Sequence, residues 1–177
     1  MRALAEYLYR AERHGDLRLL LIGGRSLEAH GIVRATKDID FLIAVSDIQA
    51  MSQHLTKIGY TKAAETSIFS RWTHASLSEE DIDVMYVNDT TFTNLFSDSV
   101  PFQIGSATLH VPTVPRLIAL KLHAIKNNPE RTLKDTSDIQ NLLQHHSTAL
   151  SLEGLRTLCE KYGPPGIFAQ LSPNHLT

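Results

Sequence analysis

The segment LLLIGGRSLEAHGIVRATKDIDFLIAV, residues 19–45, decides the fold of this chain. Its first apolar run, residues 19–22, ends at two glycines, Gly23 and Gly24. A short polar segment follows, and a second apolar run over residues 38–45 begins with two aspartates. Apolar runs separated by glycines and polar residues are typical of strands joined by turns. The segment therefore predicts a strand, a glycine turn, a short helix and a second strand.

The turn and the aspartates together indicate a site for a phosphate-bearing ligand. Paired glycines let a backbone approach a phosphate closely, and the N–H groups at the start of the next helix point toward an anion. Asp38 and Asp40 are two residues apart in a strand, so their side chains share a face. Adjacent carboxylates repel unless a divalent cation lies between them, and phosphates need the same cation. The alternative is a tight turn followed by the acidic start of a surface strand.

The glycine pair, the thirteen residues Arg25–Lys37 and the Asp-Ile-Asp sequence resemble the nucleotidyltransferase pattern of the polymerase-beta-like superfamily. Within it, the chain resembles the toxin-type, AbiEii-like nucleotidyltransferases of abortive-infection systems. The resemblance implies an α/β (α+β) fold, with a mixed sheet flanked by helices and C-terminal helices packed on it. It also implies that Gly23, Gly24, Arg25 and Ser26 bind a nucleotide.

Length and composition place limits on the class of protein. At 177 residues, 42% of them hydrophobic, the chain suits one domain, or one domain with a helical appendage. The net charge of −2 does not favour non-specific nucleic-acid binding. A single cysteine, Cys159, excludes an internal disulfide and fits a cytoplasmic location. Apolar runs are too short to cross a membrane, and the N-terminus lacks the apolar core of a signal peptide.

Periodicity predicts the elements on either side of the central segment. A capping box formed by Ser46 and Gln49 predicts the start of a helix that ends at Gly59. The other predicted elements are helices at 2–14, 89–97, 115–126, 131–145 and 151–162, and strands at 60–74, 81–87, 102–104 and 108–111. The predicted organisation is a nucleotidyltransferase core (1–112), a helical part of the same domain (113–163) and a loose tail (164–177).

The third strand-like run with acidic residues offers a further carboxylate. Asp83 lies between apolar residues, and a buried aspartate is costly unless it is paired or holds a metal. Asp81, nearer the preceding turn, is expected to be solvated, and an edge-strand charge is the alternative for Asp83. The resembled superfamily carries a third carboxylate on a separate strand, which implies Asp83. Arg71 could meet a phosphate, but a solvated strand arginine is the favoured interpretation.

Residues 115–143 form the second informative stretch. Lys121 lies in an apolar helix, so it either extends to solvent or has an anionic partner. Asp135 and Asp138 are three residues apart and share a helix face. The resemblance makes Lys121 a phosphate ligand and gives an aspartate role in the nucleotide site to Asp138 or Asp135, so Lys121→Ala is expected to weaken triphosphate binding more than folding. The alternative is ordinary helix salt bridging between Lys134 and the two aspartates.

These observations predict a metal-dependent enzyme that moves a nucleoside monophosphate from a nucleoside triphosphate (NTP) to tRNA, protein or a small molecule. Asp38, Asp40 and Asp83 are the predicted catalytic residues and the ligands of Mg²⁺ or Mn²⁺. The resemblance adds a toxin role with an antitoxin protein as partner. Five basic residues and one acid over residues 116–134 indicate a local basic surface that could hold an RNA end. The alternative is a catalytically inactive nucleotide-binding or protein-interaction module on the same fold.

Overall fold

The computed structural model describes residues 2–76 and 78–172, which divide into two compact units. The first unit comprises the residues up to Ala29 together with Arg34–Pro112. The second comprises His30–Val33 and the residues from Thr113 onward. The main division follows Pro112, where the sequence analysis placed the change from core to helical part. That the two parts form one domain stays a prediction.

The first unit contains a mixed arrangement of strands and helices, as predicted. Helices separate single strands and groups of two or three successive strands along the chain, as runs of helical period separate runs of period two in the sequence. Their bounds are α1 (Arg2–Arg13), β1 (Leu20–Ile22), α2 (Gly23–Ser26), β2 (Asp38–Ala44), α3 (Ile48–Lys57), β3 (Tyr60–Glu65), β4 (Phe69–His74), β5 (Asp81–Val87), α4 (Asp89–Ser97), β6 (Val100–Ile104) and β7 (Ala107–Val111).

Five of these strands form one sheet in the order β1-β2-β5-β4-β3, and β6 and β7 form a separate hairpin. β2 pairs in parallel with β5, whereas the other neighbours in the five-stranded sheet are antiparallel. The predicted mixed sheet is therefore confirmed. In the parallel pair, Asp40 lies opposite Asp83, and in the antiparallel pair Arg71 of β4 also lies opposite Asp83. The register thus places three charged residues on neighbouring strands.

The two faces of the central strands have different chemistry. Ile39, Phe41 and Ile43 of β2 are fully buried in a hydrophobic core, to which α1 contributes Leu4 and Leu8. Successive side chains of a strand point to opposite faces, so the aspartates that alternate with these residues lie on the other face. Apolar burial of about 25 cal/mol per Å² holds the core face together. The carboxylates therefore sit on a rigid strand.

The predicted capping box before α3 was wrong. A 3-10 turn over Val45–Asp47 precedes the helix, and the N-cap residue, Asp47, makes no side-chain cap hydrogen bond. Instead, the Ser46 hydroxyl donates to the carboxylate of Asp89 at the start of α4. A charged acceptor makes a stronger hydrogen bond than a neutral one, so a tertiary partner replaced the local cap.

The second unit is helical. It contains α5 (Val114–Asn127), α6 (Thr132–His145), α7 (Leu152–Tyr162) and α8 (Ile167–Leu171). α8 lies inside the predicted loose tail, and burial of Ile167 and Leu171 corrects that prediction for these residues. The rest of the predicted tail, residues 173–177, lies outside the described residues. Among the helices of the described residues, none combines the length and the apolar character needed to cross a lipid bilayer.

Candidate functional site

Three carboxylates meet on the polar face of the five-stranded sheet. Asp38 and Asp40 project from the beginning of β2, and Asp83 projects from its parallel neighbour β5. One oxygen from each carboxylate lies within 4.8 Å of the others. Asp83 is buried and the other two are partly exposed. The structure thus brings together the three aspartates that the sequence analysis selected, whereas Asp81 is not part of the group.

Arg71 completes this group with a positive charge. Its Nε and Nη2 atoms each donate to a different oxygen of Asp83 at 2.7 Å, and Nη2 lies 3.8 Å from the nearer oxygen of Asp38. The hydrogen bonds to Asp83, followed by the charge of that carboxylate, raise the pKa of Arg71. The sequence analysis favoured a solvated arginine, and the Arg71 side chain is 43% exposed, but the register between β4 and β5 also pairs it with Asp83.

A second residue that the sequence analysis missed positions Asp38. The Thr36 hydroxyl donates to Asp38 Oδ1 at 2.9 Å, two residues along the chain. Threonine and serine hydroxyls commonly make such local bonds. The bond fixes one oxygen of the carboxylate and leaves its other oxygen facing Arg71. A threonine two residues before the Asp-Ile-Asp sequence was the signal that could have identified it.

The two glycines of the turn have different physical roles. Gly23 has φ +64°, in the left-handed region, and a Cβ atom there would overlap the carboxylate of Asp40. Gly24 lies in α2 without a positive φ, and a Cβ atom there would meet the flexible end of Arg34 and, at 3.0 Å, Thr36 Cβ. Glycine is therefore required at Gly23 both for the backbone conformation and for the close approach of Asp40.

Gly23→Ala is expected to destabilise the protein far more than Gly24→Ala. An alanine in the left-handed region costs about 1–2 kcal/mol, and the overlap with Asp40 adds about 1–3 kcal/mol. Alanine at Gly24 gains about 1 kcal/mol of helix propensity, which offsets the shift of Arg34. Urea unfolding followed by circular dichroism measures both changes. Equal stabilities of the two variants would show that the left-handed turn does not constrain the chain.

The side chains that follow the glycines make contacts within the protein. Ser26 is fully buried, and its hydroxyl donates to the Gly23 carbonyl oxygen at 2.9 Å. The Arg25 guanidinium pairs with Glu28 at 3.2 Å and with Glu80. In this structure Ser26 holds the turn, and Arg25 joins the turn to the start of β5. Nucleotide contacts by Ser26 and Arg25 stay predictions.

The second unit buries a cluster of charges of its own. Lys121 of α5, with a side chain 5% exposed, contacts Asp138 at 2.7 Å and Asp135 at 3.3 Å. Arg131 donates through Nε to Asp135 at 2.7 Å. In these contacts two cations face two buried carboxylates. The sequence analysis left two outcomes open for Lys121, and the structure shows the one with anionic partners.

The predicted basic surface over residues 116–134 is smaller than the sequence indicated. Lys121 is buried in the cluster, and Arg131 is engaged with Asp135. Lys126 and Lys134 are exposed. A count of residues in the sequence includes the Lys121 charge, but burial removes that charge from the surface. The positive charge available to hold an RNA end is therefore smaller than predicted.

Solved structures of nucleotidyltransferases share this fold. ANT(2")-Ia in complex with adenylyl-2"-tobramycin is 15% identical, with a TM-score of 0.67 over 90% of this chain and 94% of that chain. The lincosamide antibiotic adenylyltransferase LnuA, lincomycin-bound, is 16% identical, with a TM-score of 0.58 over 80% and 96%. JHP933 from Helicobacter pylori is 19% identical, with a TM-score of 0.59 over 99% and 75%. At these identities, the likeness shows the fold.

The sequence comparison reaches further than the fold. No curated protein sequence matches this chain significantly. However, the model of the family described as "Nucleotidyl transferase AbiEii toxin, Type IV TA system" matches residues 6–172, nearly the whole chain. This match confirms the resemblance that the glycine pair and the Asp-Ile-Asp sequence indicated. The chain therefore belongs to the AbiEii family of nucleotidyltransferase toxins.

Proposed function

We propose that this protein transfers a nucleoside monophosphate from an NTP to an acceptor hydroxyl and acts as the toxin of a toxin–antitoxin pair. The observation that carries the proposal is the meeting of Asp38, Asp40 and Asp83 beside the Gly23 turn. Family membership supports the reaction class and the toxin role. The acceptor is tRNA, protein or a small molecule, and the cytoplasm supplies the NTP.

The three carboxylates fit a divalent cation. They offer oxygen ligands alone, from two adjacent strands, and such a donor set suits Mg²⁺ or Mn²⁺. Asp38, Asp40 and Asp83 would hold the metal. When bound, it would lower the pKa of the acceptor hydroxyl and offset the charge of the leaving pyrophosphate. A cation held there would also offset the repulsion between three carboxylates that lie close together on one face.

The reaction would form one bond and break another at the α-phosphorus. The acceptor oxygen bonds to this phosphorus, the bond to the bridging oxygen of the β-phosphate breaks, and pyrophosphate leaves with that electron pair. The hydroxyl proton passes to solvent. The Gly23 turn would lie beside the phosphates, because it packs against the Asp40 carboxylate of the proposed metal site. Roles for Lys121, Asp135 and Asp138 in nucleotide binding stay predictions.

Incubation of the protein with α-labelled NTPs, Mg²⁺ or Mn²⁺ and cell extract tests the proposal. We expect more label in an acceptor fraction than in extract without the protein, loss of that increase with a chelator, and no such increase from γ-labelled NTPs. Sensitivity of the labelled product to nuclease or protease identifies the acceptor class. NTP binding without transfer from any of the four nucleotides would support the inactive nucleotide-binding alternative.

A growth experiment tests the toxin role separately. Induced expression of the parent protein is expected to arrest growth, and coexpression of a protein encoded beside it is expected to relieve the arrest. Normal growth at a verified expression level, with transfer activity present in the purified protein, would contradict the toxin role and leave the enzymatic proposal intact.

A further inference from the structure

We propose that Arg71 is a built-in cation that holds Asp83 until an NTP arrives, and that its guanidinium then moves from Asp83 to the triphosphate. Arg71 would thereby couple metal binding to nucleotide binding. This inference rests on the proposed function, since it assigns a further positioning residue to the same site. The contacts of Arg71, its exposure and the charge balance of the site each support one step.

The first step is that Arg71 engages both carboxylate oxygens of Asp83. Its two donors take one carboxylate oxygen each, at 2.7 Å, in the planar bidentate geometry that arginine favours. The Asp83 side chain is 12% exposed, so its oxygens have little other access. A divalent cation that binds Asp83 must therefore compete with Arg71 for at least one oxygen.

The second step concerns charge. Asp38, Asp40 and Asp83 carry three negative charges within a few ångströms, and Arg71 offsets one of them. A divalent cation placed among these carboxylates would lie close to the guanidinium, and like charges repel strongly where water is partly excluded. Arg71 should therefore weaken metal binding while the site holds no nucleotide.

The third step is that the Arg71 guanidinium can move away from Asp83. Its side chain is 43% exposed, unlike that of Asp83, so the guanidinium can leave the carboxylate without crossing the core. A phosphate accepts the same two-donor fork as a carboxylate. An NTP would therefore draw the guanidinium away and free Asp83 for the metal. Metal and nucleotide should each strengthen the binding of the other, since coupling between two ligands is reciprocal.

Binding measurements on Arg71→Gln test this coupling without relying on turnover. Free Mn²⁺, followed by its electron paramagnetic resonance signal, gives metal affinity with and without a non-hydrolysable NTP analogue. Without nucleotide, we expect Mn²⁺ to bind the variant at least about fivefold more tightly than the parent. With Mn²⁺ present, we expect the analogue to bind the variant at least about fivefold more weakly. A purely structural residue would not move the two affinities in opposite directions.

Two further variants serve as controls. Lys62→Gln removes the same charge from the neighbouring strand β3, where Lys62 pairs with Glu65, and should leave both affinities unchanged. Arg71→Lys keeps the charge but loses the two-donor fork, and should give intermediate affinities. If Arg71→Gln does not fold, Arg71→Lys decides the question. Mn²⁺ and nucleotide affinities of Arg71→Lys equal to those of the parent would then overturn the proposal.

The outcomes separate this inference from the proposed function. Mn²⁺ affinity that is unchanged or weaker in Arg71→Gln, beside a parent that transfers label, overturns the role of Arg71 and leaves the enzyme. Tighter Mn²⁺ and weaker nucleotide binding in the variant support Arg71 even if the parent transfers no label. Absence of Mn²⁺ binding in both proteins overturns the inference.

Discussion

Replacement of Asp40 by asparagine is expected to reduce nucleotidyl transfer by ~100-fold or more while the protein stays folded. Asparagine keeps the shape of the side chain beside Gly23, but it removes a negative charge from the proposed metal site. Removal of one positioned charge that stabilises a transition state typically costs this much. Relief of repulsion from Asp38 and Asp83 should offset the loss of any contact that the Asp40 charge makes, so the variant should stay folded.

The measurement is transfer from α-labelled NTP by parent and Asp40→Asn, beside thermal unfolding of both. Asp16→Asn is a matched control, since Asp16 is half-exposed and lies 3.8 Å from His54, outside the group of three aspartates. The control should transfer label at the parental rate. Equal rates in Asp40→Asn and the parent would show that these carboxylates do not carry the reaction.

Lys121→Met is expected to lower the free energy of unfolding by about 3–5 kcal/mol, because it leaves Asp135 and Asp138 buried with a cation missing. Sequence alone predicted a larger effect on triphosphate binding than on folding. Because Lys121 is buried between its two aspartate partners, we expect the larger effect to fall on folding. The double change Lys121→Met with Asp138→Asn should recover part of the loss.

Urea unfolding measured by circular dichroism gives these free energies. Lys126→Met on the same helix is the control, because Lys126 is exposed and its replacement should change stability by less than about 0.5 kcal/mol. A Lys121→Met variant as stable as this control would show that the buried ion cluster contributes nothing net to the fold.

Much of the fold and of the candidate site could be predicted because the determining signals are local. The alternation of apolar residues with Asp38 and Asp40 specifies both the strand and the face on which the carboxylates lie. Asp83 was selected because a charge among apolar residues needs a partner. The glycine pair marked the turn, although of the two positions only Gly23 requires glycine for its backbone conformation.

Sequence by itself therefore predicted the order of the elements, the family and the three aspartates, because local patterns mark each strand and turn. The parallel pairing of β2 with β5 then decided that Asp83 meets the other two. Tertiary structure alone decided the partners of long side chains. Arg71 meets Asp83 because β4 pairs with β5 in one register, and Ser46 bonds Asp89 instead of capping α3. A long or mobile side chain can reach many groups, and only the packed fold selects one of them.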